Sequence, residues 1–369
     1  MPDNSFSRRN LLTTAAAAAA AAPMAAAQQT RQPVVLPEAE QTFAMPTHPI
    51  RILTMIELDP AEVKQIQDGS PVKVEIVYAK TREEFRKALP EAEVVYGGVG
   101  AADLDFAPKL KWVQAGGAGV EGVDPKFMQS PIVLTNFART FAPAISETAI
   151  GFLLCLTRGI TTLYMPQFYK RQMKPVGTVK SADHIELAGK TMGIVGMGGI
   201  GCNIARRAKW GFDMKVIATD AKPMPKPEYV DELHDPGYFS KMVPRVDVLV
   251  SAAPSTPKTR KMFNEQVFRS MKKTAYFLGM SRGELFDDMA LAKALKEGWI
   301  AGAGLDVFPK EPPPADHPIF DCPNVVMTAH TSGWSPDRQT RLIALFADNV
   351  RRYGSGMPLV NVVDKARGY

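Results

Sequence analysis

Three ionisable residues in the second half of the sequence have side chains suited to the chemistry of a carbonyl group. His330 follows an apolar run, Val325 to Ala329. Reduction of a carbonyl by hydride requires a proton donor for the oxygen, and imidazolium titrates closest to neutral pH. Glu311 is suited to bonding the other ring nitrogen and favouring the charged form, and Arg282 offers a planar fork of donors to a carboxylate or a 2-oxo acid. We therefore predict Arg282, Glu311 and His330 as catalytic residues.

Taken one at a time, each of these residues also fits a structural role. His330 fits a core histidine, Arg282 a surface cation, and Glu311 an ordinary loop acid. However, His330 and Arg282 each follow a predicted strand, and ligands of open α/β sheets bind beyond the carboxyl ends of the strands. The other four histidines lie in polar or proline-flanked loops and are predicted to be structural: His48, His184, His234 and His317.

A glycine motif follows a short apolar strand at 191–195. The run Gly196-Met197-Gly198-Gly199-Ile200-Gly201 opens a predicted helix. Its first glycine permits a tight turn, the second lets the backbone approach a pyrophosphate, and the third lets the helix pack closely on the strand. The next strand ends at Asp220, 19 residues beyond Gly201. An acid there accepts hydrogen bonds from ribose hydroxyls and repels a 2′-phosphate, so NAD is preferred over NADP, although Lys222 and Lys226 could offset its charge.

Strand-like and helix-like segments alternate along the chain from Ile50 onward. Strands are predicted at 50–56, 72–78, 93–96, 110–114 and 132–136, and again at 191–195, 214–219, 246–252, 274–279, about 300–305 and 324–328. A helix predicted at 145–159 separates the two series, and another at 336–353 ends the pattern. Strands separated by helix-length segments favour parallel sheets covered on both faces. We therefore predict an α/β protein with two Rossmann-like or flavodoxin-like doubly wound parallel-sheet domains.

Residues 1–27 are predicted to be a signal peptide. Arg8 and Arg9 precede a short, alanine-rich apolar run, and small residues at 25–27 suit cleavage before Gln28. This order resembles a twin-arginine export signal and implies passage through the twin-arginine export machinery to the periplasm. A chance arginine pair before a low-complexity tail is the alternative. Residues 28–48 are predicted to form an extended lead-in, and the mature chain is expected to be soluble because no later segment approaches about 18 uninterrupted apolar residues.

The composition is that of a globular protein and disfavours several other classes. Of the 369 residues, 46% are hydrophobic and 22% charged, which suits two domains with packed cores. The net charge of +6 is spread over small basic groups, so nucleic-acid binding is not expected. Cys155, Cys202 and Cys322 form no CxxC pair. They are predicted to be buried free thiols, not metal ligands or disulfide partners.

Several motifs, in order along the chain, resemble those of the D-isomer-specific 2-hydroxyacid dehydrogenases. Residues 186–191 are similar to the family's lead-in to the glycine motif, 254–259 to its cofactor loop, and 281–283 to its catalytic arginine motif. The longest match runs from Gly302 to Pro312 and is followed by His330. The similarity extends from about Ile50 to the C-terminal helix.

The resemblance implies a role for each predicted site residue. Arg282 binds the substrate carboxylate and carbonyl, Glu311 tunes His330, and His330 exchanges the proton. Ala118 and Gly119 offer backbone N–H groups to the carboxylate, although their glycine-rich run also fits a simple strand-to-helix turn. The predicted cofactor-binding residues are Gly196, Gly198, Gly199, Ile200, Gly201, Asp220, Pro254, Thr259, Met280 and Asp306, with Asp306 beside the nicotinamide. No metal site is predicted.

The resemblance also implies an architecture. A substrate domain at 49–148 precedes an inserted NAD-binding Rossmann domain at 149–334, and a C-terminal helix in 335–369 returns to the substrate domain. The cleft between the two domains closes on the ligand. The family resemblance implies a homodimer formed through the cofactor domain. Trp334 could form a wall of the substrate pocket, but it is predicted to be a buried aromatic side chain at the start of a helix.

Together, these expectations predict an NAD-dependent oxidoreductase that interconverts a D-2-hydroxy acid and a 2-oxo acid, with His330 as general acid and base. Export poses a difficulty, because no nicotinamide pool is expected outside the cytoplasm. The hypothesis is that the protein is exported with NAD(H) tightly bound and recycles it within one site. The alternative is an exported, dinucleotide-bound acid-binding protein with little or no turnover. The joint presence of Arg282, Glu311 and His330 favours the enzyme, since a binding protein needs no proton donor.

Overall fold

Five short apolar runs form one parallel sheet in the computed structural model, which describes residues 43–173, 180 and 184–369. The strands are β1 (Ile50–Thr54), β2 (Val74–Tyr78), β3 (Val94–Gly97), β4 (Trp112–Ala115) and β5 (Val133–Thr135), in the order β2-β1-β3-β4-β5. The predicted export signal and residues 28–42 lie outside the described residues. Because successive side chains of a strand face opposite sides, Ile52 packs into one hydrophobic core and Leu53 into another. Both faces of the sheet are therefore covered.

A second parallel sheet contains seven strands. They are β6 (Thr191–Val195), β7 (Lys215–Thr219), β8 (Glu232–His234), β9 (Val248–Ser251), β10 (Tyr276–Gly279), β11 (Gly302–Leu305) and β12 (Val325–Met327). Their order is β12-β11-β10-β9-β6-β7-β8. The strand order reverses at β6, which pairs with β7 on one side and β9 on the other. A crevice is expected beyond the carboxyl ends of the strands at such a reversal.

Helices connect the strands and cover the sheets. The α-helices are α1 (Pro60–Asp68), α2 (Arg82–Ala88), α3 (Ala101–Leu104), α4 (Pro125–Met128), α5 (Ala142–Thr157), α6 (Met165–Tyr169), α7 (Gly199–Phe212), α8 (Phe239–Met242), α9 (Glu265–Ser270), α10 (Asp288–Lys296) and α11 (Asp337–Gly354). Helix α5 buries Phe152, Leu153 and Leu156 in a core of the second sheet. Helix α11 buries Phe346 and Tyr353 in a core of the first sheet, so the chain returns there after completing the second.

The predicted fold class, two parallel-sheet α/β domains, is confirmed. Strand β8, the short helices α3, α4, α6, α8 and α9, and the nine-residue helix α10 were not predicted. Short, partly buried segments carry little periodic signal. The helix predicted from residue 145 begins at Ala142, with Pro143 in its first turn. Gly354 was expected just beyond the last helix and is instead its final residue.

Two burial predictions were wrong. Trp334 is 69% exposed, and the Arg338 guanidinium carbon lies 5.5 Å from its ring centroid. An indole that stacks with a cation gains its contact at the surface, without burial in a core. Of the three free thiols, Cys322 is buried, whereas Cys155 and Cys202 are only partly so. Cys155 lies on α5 and Cys202 on α7, and the surface of each helix leaves part of the thiol side chain accessible.

Residues 40–369 cluster as one compact unit that contains both sheets. Within the described part of the chain, no single helix is long and apolar enough to span a membrane. Only α5 taken together with residues 160–169, across a bend of 53°, meets that length and composition.

Candidate active site

An imidazole and a carboxylate meet beyond the carboxyl ends of β11 and β12. His330 Nδ1 lies 2.7 Å from Glu311 Oε2, and the two side chains are 45% and 36% exposed. The other carboxylate oxygen, Oε1, accepts a hydrogen bond of 2.9 Å from the Phe308 backbone N–H. Because an ionised carboxylate only accepts, the proton between the two groups belongs to Nδ1, and Nε2 is the ring nitrogen that can take or give a proton. The structure thus joins two of the predicted catalytic residues in one hydrogen-bonded pair.

Asp306 fixes the loop that carries His330. Its side chain is buried, and Oδ1 accepts hydrogen bonds from Thr328 Oγ1 at 2.6 Å, Thr331 N at 3.0 Å and Ser332 N at 3.1 Å. The Asp306 carbonyl accepts the His330 backbone N–H at 2.8 Å. Asp306 Oδ1 therefore accepts hydrogen bonds from the loop that carries His330, and the observed role of Asp306 is to position that loop. The predicted place of Asp306 beside a nicotinamide stays a prediction.

Arg282 lies beyond the end of β10 and contacts the loop after β4. Its Nε donates to Glu121 Oε1 at 2.9 Å, and Nη1 donates to the Ser281 carbonyl at 2.8 Å. A Cβ built on Gly119 would lie 2.0 Å from Arg282 Nη2. The guanidinium therefore stands directly over Gly119, so the structure brings two of the predicted substrate-binding residues together. Ala118 precedes it in the same loop, and its carbonyl accepts a hydrogen bond from Asn136 at 2.8 Å.

The arginine segment and the glutamate loop pack against each other. A Cβ on Gly283 would lie 1.9 Å from the Phe308 carbonyl carbon, so only glycine permits this approach. Gly283 follows Arg282, and the Phe308 N–H holds Glu311. The three predicted catalytic residues thus belong to one packed group of loops at the edge formed by β10, β11 and β12.

The glycine motif has the shape that a dinucleotide pyrophosphate requires. Gly196 has φ +96°, and a Cβ there would lie 2.7 Å from the Ala253 backbone. A Cβ on Gly201 would lie 2.0 Å from the Gly196 carbonyl oxygen, whereas Gly198 faces open space. Helix α7 begins directly after Gly198 and offers its unpaired N–H groups there. A tight turn, a close helix and an open cradle are therefore all present, and the residues fit a dinucleotide.

Asp220 stands at the end of β7 beside this turn. Its Oδ2 accepts the Met197 backbone N–H at 2.6 Å, and Oδ1 accepts the Lys222 N–H at 2.7 Å. These bonds fix the carboxylate next to the glycine motif and leave further lone pairs for ribose hydroxyls. Of the two lysines that could offset its charge, Lys226 donates to the Val230 carbonyl at 2.8 Å. Lys222 lies 4.8 Å from the ring centroid of Tyr369.

The remaining predicted cofactor residues frame the same edge. Thr259 Oγ1 donates to the Pro254 carbonyl at 2.7 Å and closes the loop that follows β9. Met280 is buried in a core of the second sheet, so its side chain packs there and its backbone continues from β10. Ile200 packs at the margin of the same core.

Two residues at the site were missed from the sequence. Glu121 was overlooked because an acid in a loop carries no signal for a partner 161 positions away. Arg139 has φ +75°, and a Cβ on Gly199 would lie 2.7 Å from its Cα. Burial raises the pKa of the nearby Cys202 thiol, and the positive charge of Arg139 acts against that rise. A cation therefore lies beside the start of α7. Across the described residues, no group of three or more His, Cys, Asp or Glu side chains is arranged to hold a metal ion.

A glycine-rich turn at a strand reversal, with an acid–base pair beyond neighbouring strands, is typical of dinucleotide-dependent dehydrogenases. Residues 150–332 match the family model described as the D-isomer specific 2-hydroxyacid dehydrogenase, NAD binding domain. A glyoxylate reductase of Korarchaeum cryptofilum is 34% identical over 277 residues, which cover 72% of this chain and 80% of that protein. The chain belongs to the D-isomer-specific 2-hydroxyacid dehydrogenase family.

Other relatives differ in name and cofactor. A glycerate dehydrogenase of Methylorubrum extorquens is 30% identical over 297 residues, covering 77% of this chain and 89% of that protein. A similar solved structure is that of an NADPH-dependent glyoxylate/hydroxypyruvate reductase from Sinorhizobium meliloti, crystallised in complex with NADP and sulfate. Its sequence is 28% identical to this chain, and the superposition has a TM-score of 0.71. The match covers 87% of this chain and 100% of the reductase chain. Family membership supports an oxidoreductase that acts on CH–OH groups, while the relatives leave the choice between NAD and NADP open.

Proposed function

We propose that this protein interconverts a D-2-hydroxy acid and a 2-oxo acid by NAD-dependent hydride transfer. The observation that carries the proposal is the hydrogen bond of 2.7 Å between His330 and Glu311, at the sheet edge that also presents Arg282. A protein that only binds an acid has no need of a proton donor held by a carboxylate. Small 2-oxo acids such as glyoxylate and hydroxypyruvate, which appear in the relatives' names, are the first substrates to test.

Each residue of the candidate site has a separate role in carbonyl reduction. When bound, the nicotinamide supplies the hydride. His330 Nε2 gives a proton to the carbonyl oxygen, and Glu311 stabilises the imidazolium before that transfer. Arg282 binds the substrate carboxylate and polarises the carbonyl, while the backbone N–H groups of Ala118 and Gly119 hold the carboxylate. In the reverse direction His330 takes the proton from the hydroxyl.

The cofactor is proposed to be NAD. Gly196, Gly198 and Gly201 form the pyrophosphate cradle, and the fixed carboxylate of Asp220 favours ribose hydroxyls over a 2′-phosphate. The proposal divides the chain into a substrate domain at 49–148, an NAD-binding domain at 149–334 and a returning segment at 335–369. The substrate site lies in the cleft between them, and a homodimer is expected.

Export is a further part of the proposal. Arg8, Arg9 and the alanine-rich run after them support passage of the folded protein to the periplasm. Because no nicotinamide pool is expected there, the protein would carry NAD(H) with it and regenerate the cofactor by oxidising one hydroxy acid while reducing another oxo acid.

Two measurements test this proposal. Mass spectrometry of nucleotide released from protein purified out of the periplasm should recover NAD or NADH, and an empty site in correctly cleaved protein would contradict export of a loaded enzyme. Nicotinamide absorbance, followed with a panel of 2-oxo acids, should show turnover. Binding of those acids without any turnover would favour the alternative of an acid-binding protein.

A further inference from the structure

We propose that the Glu121 carboxylate occupies the position beside Arg282 and Gly119 that a substrate carboxylate takes, so that the two compete for one guanidinium. The inference rests on the proposed function, because it concerns the anion subsite of that reaction. It makes Glu121 a residue that determines which acids bind.

The hydrogen bonds show which edge of the guanidinium is filled. Arg282 Nε lies 2.9 Å from Glu121 Oε1, and Nη2 lies 3.5 Å from Oε2. Two parallel N–H donors facing two carboxylate oxygens form the bidentate arrangement by which arginine recognises carboxylates. Nη1 is already bonded to the Ser281 carbonyl. An incoming carboxylate that needs the bidentate edge must therefore displace Glu121.

Gly119 shows that the two positions coincide. A Cβ built on this glycine would lie 2.0 Å from Arg282 Nη2 and 2.3 Å from Glu121 Oε2. Both atoms thus stand over the loop backbone whose N–H groups are proposed to hold the substrate carboxylate. The carboxylate of Glu121 already stands where the substrate anion is proposed to bind.

The contact is exposed enough to exchange. The side chains of Arg282 and Glu121 are 28% and 35% exposed, so the freed charges can be solvated. A different ion pair in the first sheet domain shows the contrast. Asp103 is only 1% exposed and holds Arg82 and Arg86, so breaking that contact would leave a buried charge.

Displacement also predicts selectivity by charge. Glu121 is two residues from Gly119 on the same loop, so the displaced carboxylate stays close to the bound substrate. A second negative group on the substrate would be repelled by it. We therefore expect singly charged 2-oxo acids to bind better than dianionic ones.

Titration calorimetry with oxamate, a singly charged isostere of a 2-oxo acid, tests the competition on full-length protein saturated with NADH. Glu121→Gln removes the charge and should tighten oxamate binding about tenfold. Glu297→Gln, at an exposed acid that caps the C-terminal end of α10, removes the same charge and should leave the affinity unchanged. Unchanged or weaker binding by Glu121→Gln, with an unaltered thermal midpoint, would overturn the proposal and make Glu121 a positioning residue.

Two further titrations sharpen the result. In an Arg282→Gln background, Glu121→Gln should give no gain in oxamate affinity, and a persistent tenfold gain would overturn competition for the guanidinium. With oxalate, a dianion, Glu121→Gln should give a larger gain than with oxamate, and an equal gain would overturn the selectivity by charge. Tighter oxamate binding in a protein that reduces no 2-oxo acid would support the competition while refuting the proposed function. Normal turnover with unaltered oxamate binding by Glu121→Gln would support the proposed function while refuting the competition.

Discussion

Two ion pairs stand at the candidate site, and the chain assembles them in different ways. His330 and Glu311 are 19 residues apart and both follow strands of the second sheet. Arg282 and Glu121 are 161 residues apart, and Glu121 comes from the loop after β4 of the first sheet. The first pair is held by its own loops, with Glu311 fixed by the Phe308 N–H. The second exists only where the two sheet domains meet.

In the proposed function, this difference separates proton transfer from substrate binding. The His330–Glu311 pair is complete within one domain and should keep its geometry if the proposed cleft opens or closes. The contact between Arg282 and Glu121 joins loops of the two sheet domains, so it should change with the opening of that proposed cleft and with what binds there. Mutations in the first pair should therefore lower the rate of chemistry, and mutations in the second should change affinity.

The largest expected effect comes from breaking the first pair at the imidazole. His330 has φ +57°, a backbone conformation that asparagine tolerates, so His330→Asn removes the acid with little strain. Turnover of a 2-oxo acid should fall about 10³-fold, because the proton donor is lost. The affinity for NADH, measured by fluorescence, should be unchanged. His48→Asn, at an exposed histidine that precedes β1 at the amino end of the first sheet, should retain full turnover. A loss below about tenfold would exclude His330 as the general acid.

Gly119→Ala should break the second pair and spare the first. The added methyl group would meet Arg282 Nη2, so the guanidinium must move away from the loop. We expect KM for a 2-oxo acid to rise about tenfold while kcat changes little. Gly117→Ala is the matched control, because a Cβ there meets nothing within 4 Å. A drop in kcat with unchanged KM would show that this contact serves the chemical step.

Asp220 lies outside both pairs and tests whether cofactor choice is independent of them. Asp220→Ser removes the negative charge at the end of β7 while keeping an acceptor for the Met197 N–H. The ratio of NADPH to NADH affinity should rise about tenfold, with His330 chemistry unaffected. Lys226→Gln should leave the ratio unchanged, because that ammonium is bonded to the Val230 carbonyl. An unaltered ratio in Asp220→Ser would place the cofactor specificity elsewhere.

The smallest effect is expected from Glu93, which lies outside the candidate site and accepts hydrogen bonds from Lys111 and Tyr353. Burial alone would raise the pKa of Glu93, but hydrogen bonds from Lys111 and Tyr353 outweigh it and hold the pKa below the usual value. A lowered pKa stabilises the folded state above the pKa of the unfolded chain, and this contribution disappears as the pH falls through the folded pKa. Glu93→Gln should lower the free energy of unfolding at neutral pH by about 1–2 kcal/mol.

Denaturant titrations of the Glu93→Gln protein at several pH values check this sign. The difference from the wild type should shrink as the solution is acidified, because the wild-type carboxylate then becomes protonated as well. Glu83→Gln, which removes an exposed helical pair with Lys87, should have almost no effect at any pH. A difference that grows toward low pH would contradict the assignment.

Local patterns in the sequence were sufficient for the fold class and for several of the residues that the structure brings together at the candidate site. Buried parallel strands are continuous apolar runs, and the backbone conformation requires the glycines from Gly196 to Gly201. Both features can therefore be recognised in the sequence. His330 and Arg282 were found because each directly follows such a strand. The exposed position of Trp334 was missed, since no local pattern distinguishes an indole stacked on Arg338 from one in a core.

The sequence by itself determined the alternation of most strands with helices, the glycine turn and the residue types available for proton transfer, because these depend on neighbours along the chain. Only the tertiary structure decided that Oδ1 of Asp306 holds the histidine loop, that Arg139 lies against Gly199, and that Glu121 fills the bidentate edge of Arg282. Hydrogen bonds and charge contacts of this kind act over a few ångströms in space. The interacting groups come within this distance only after the chain has folded and brought distant loops together.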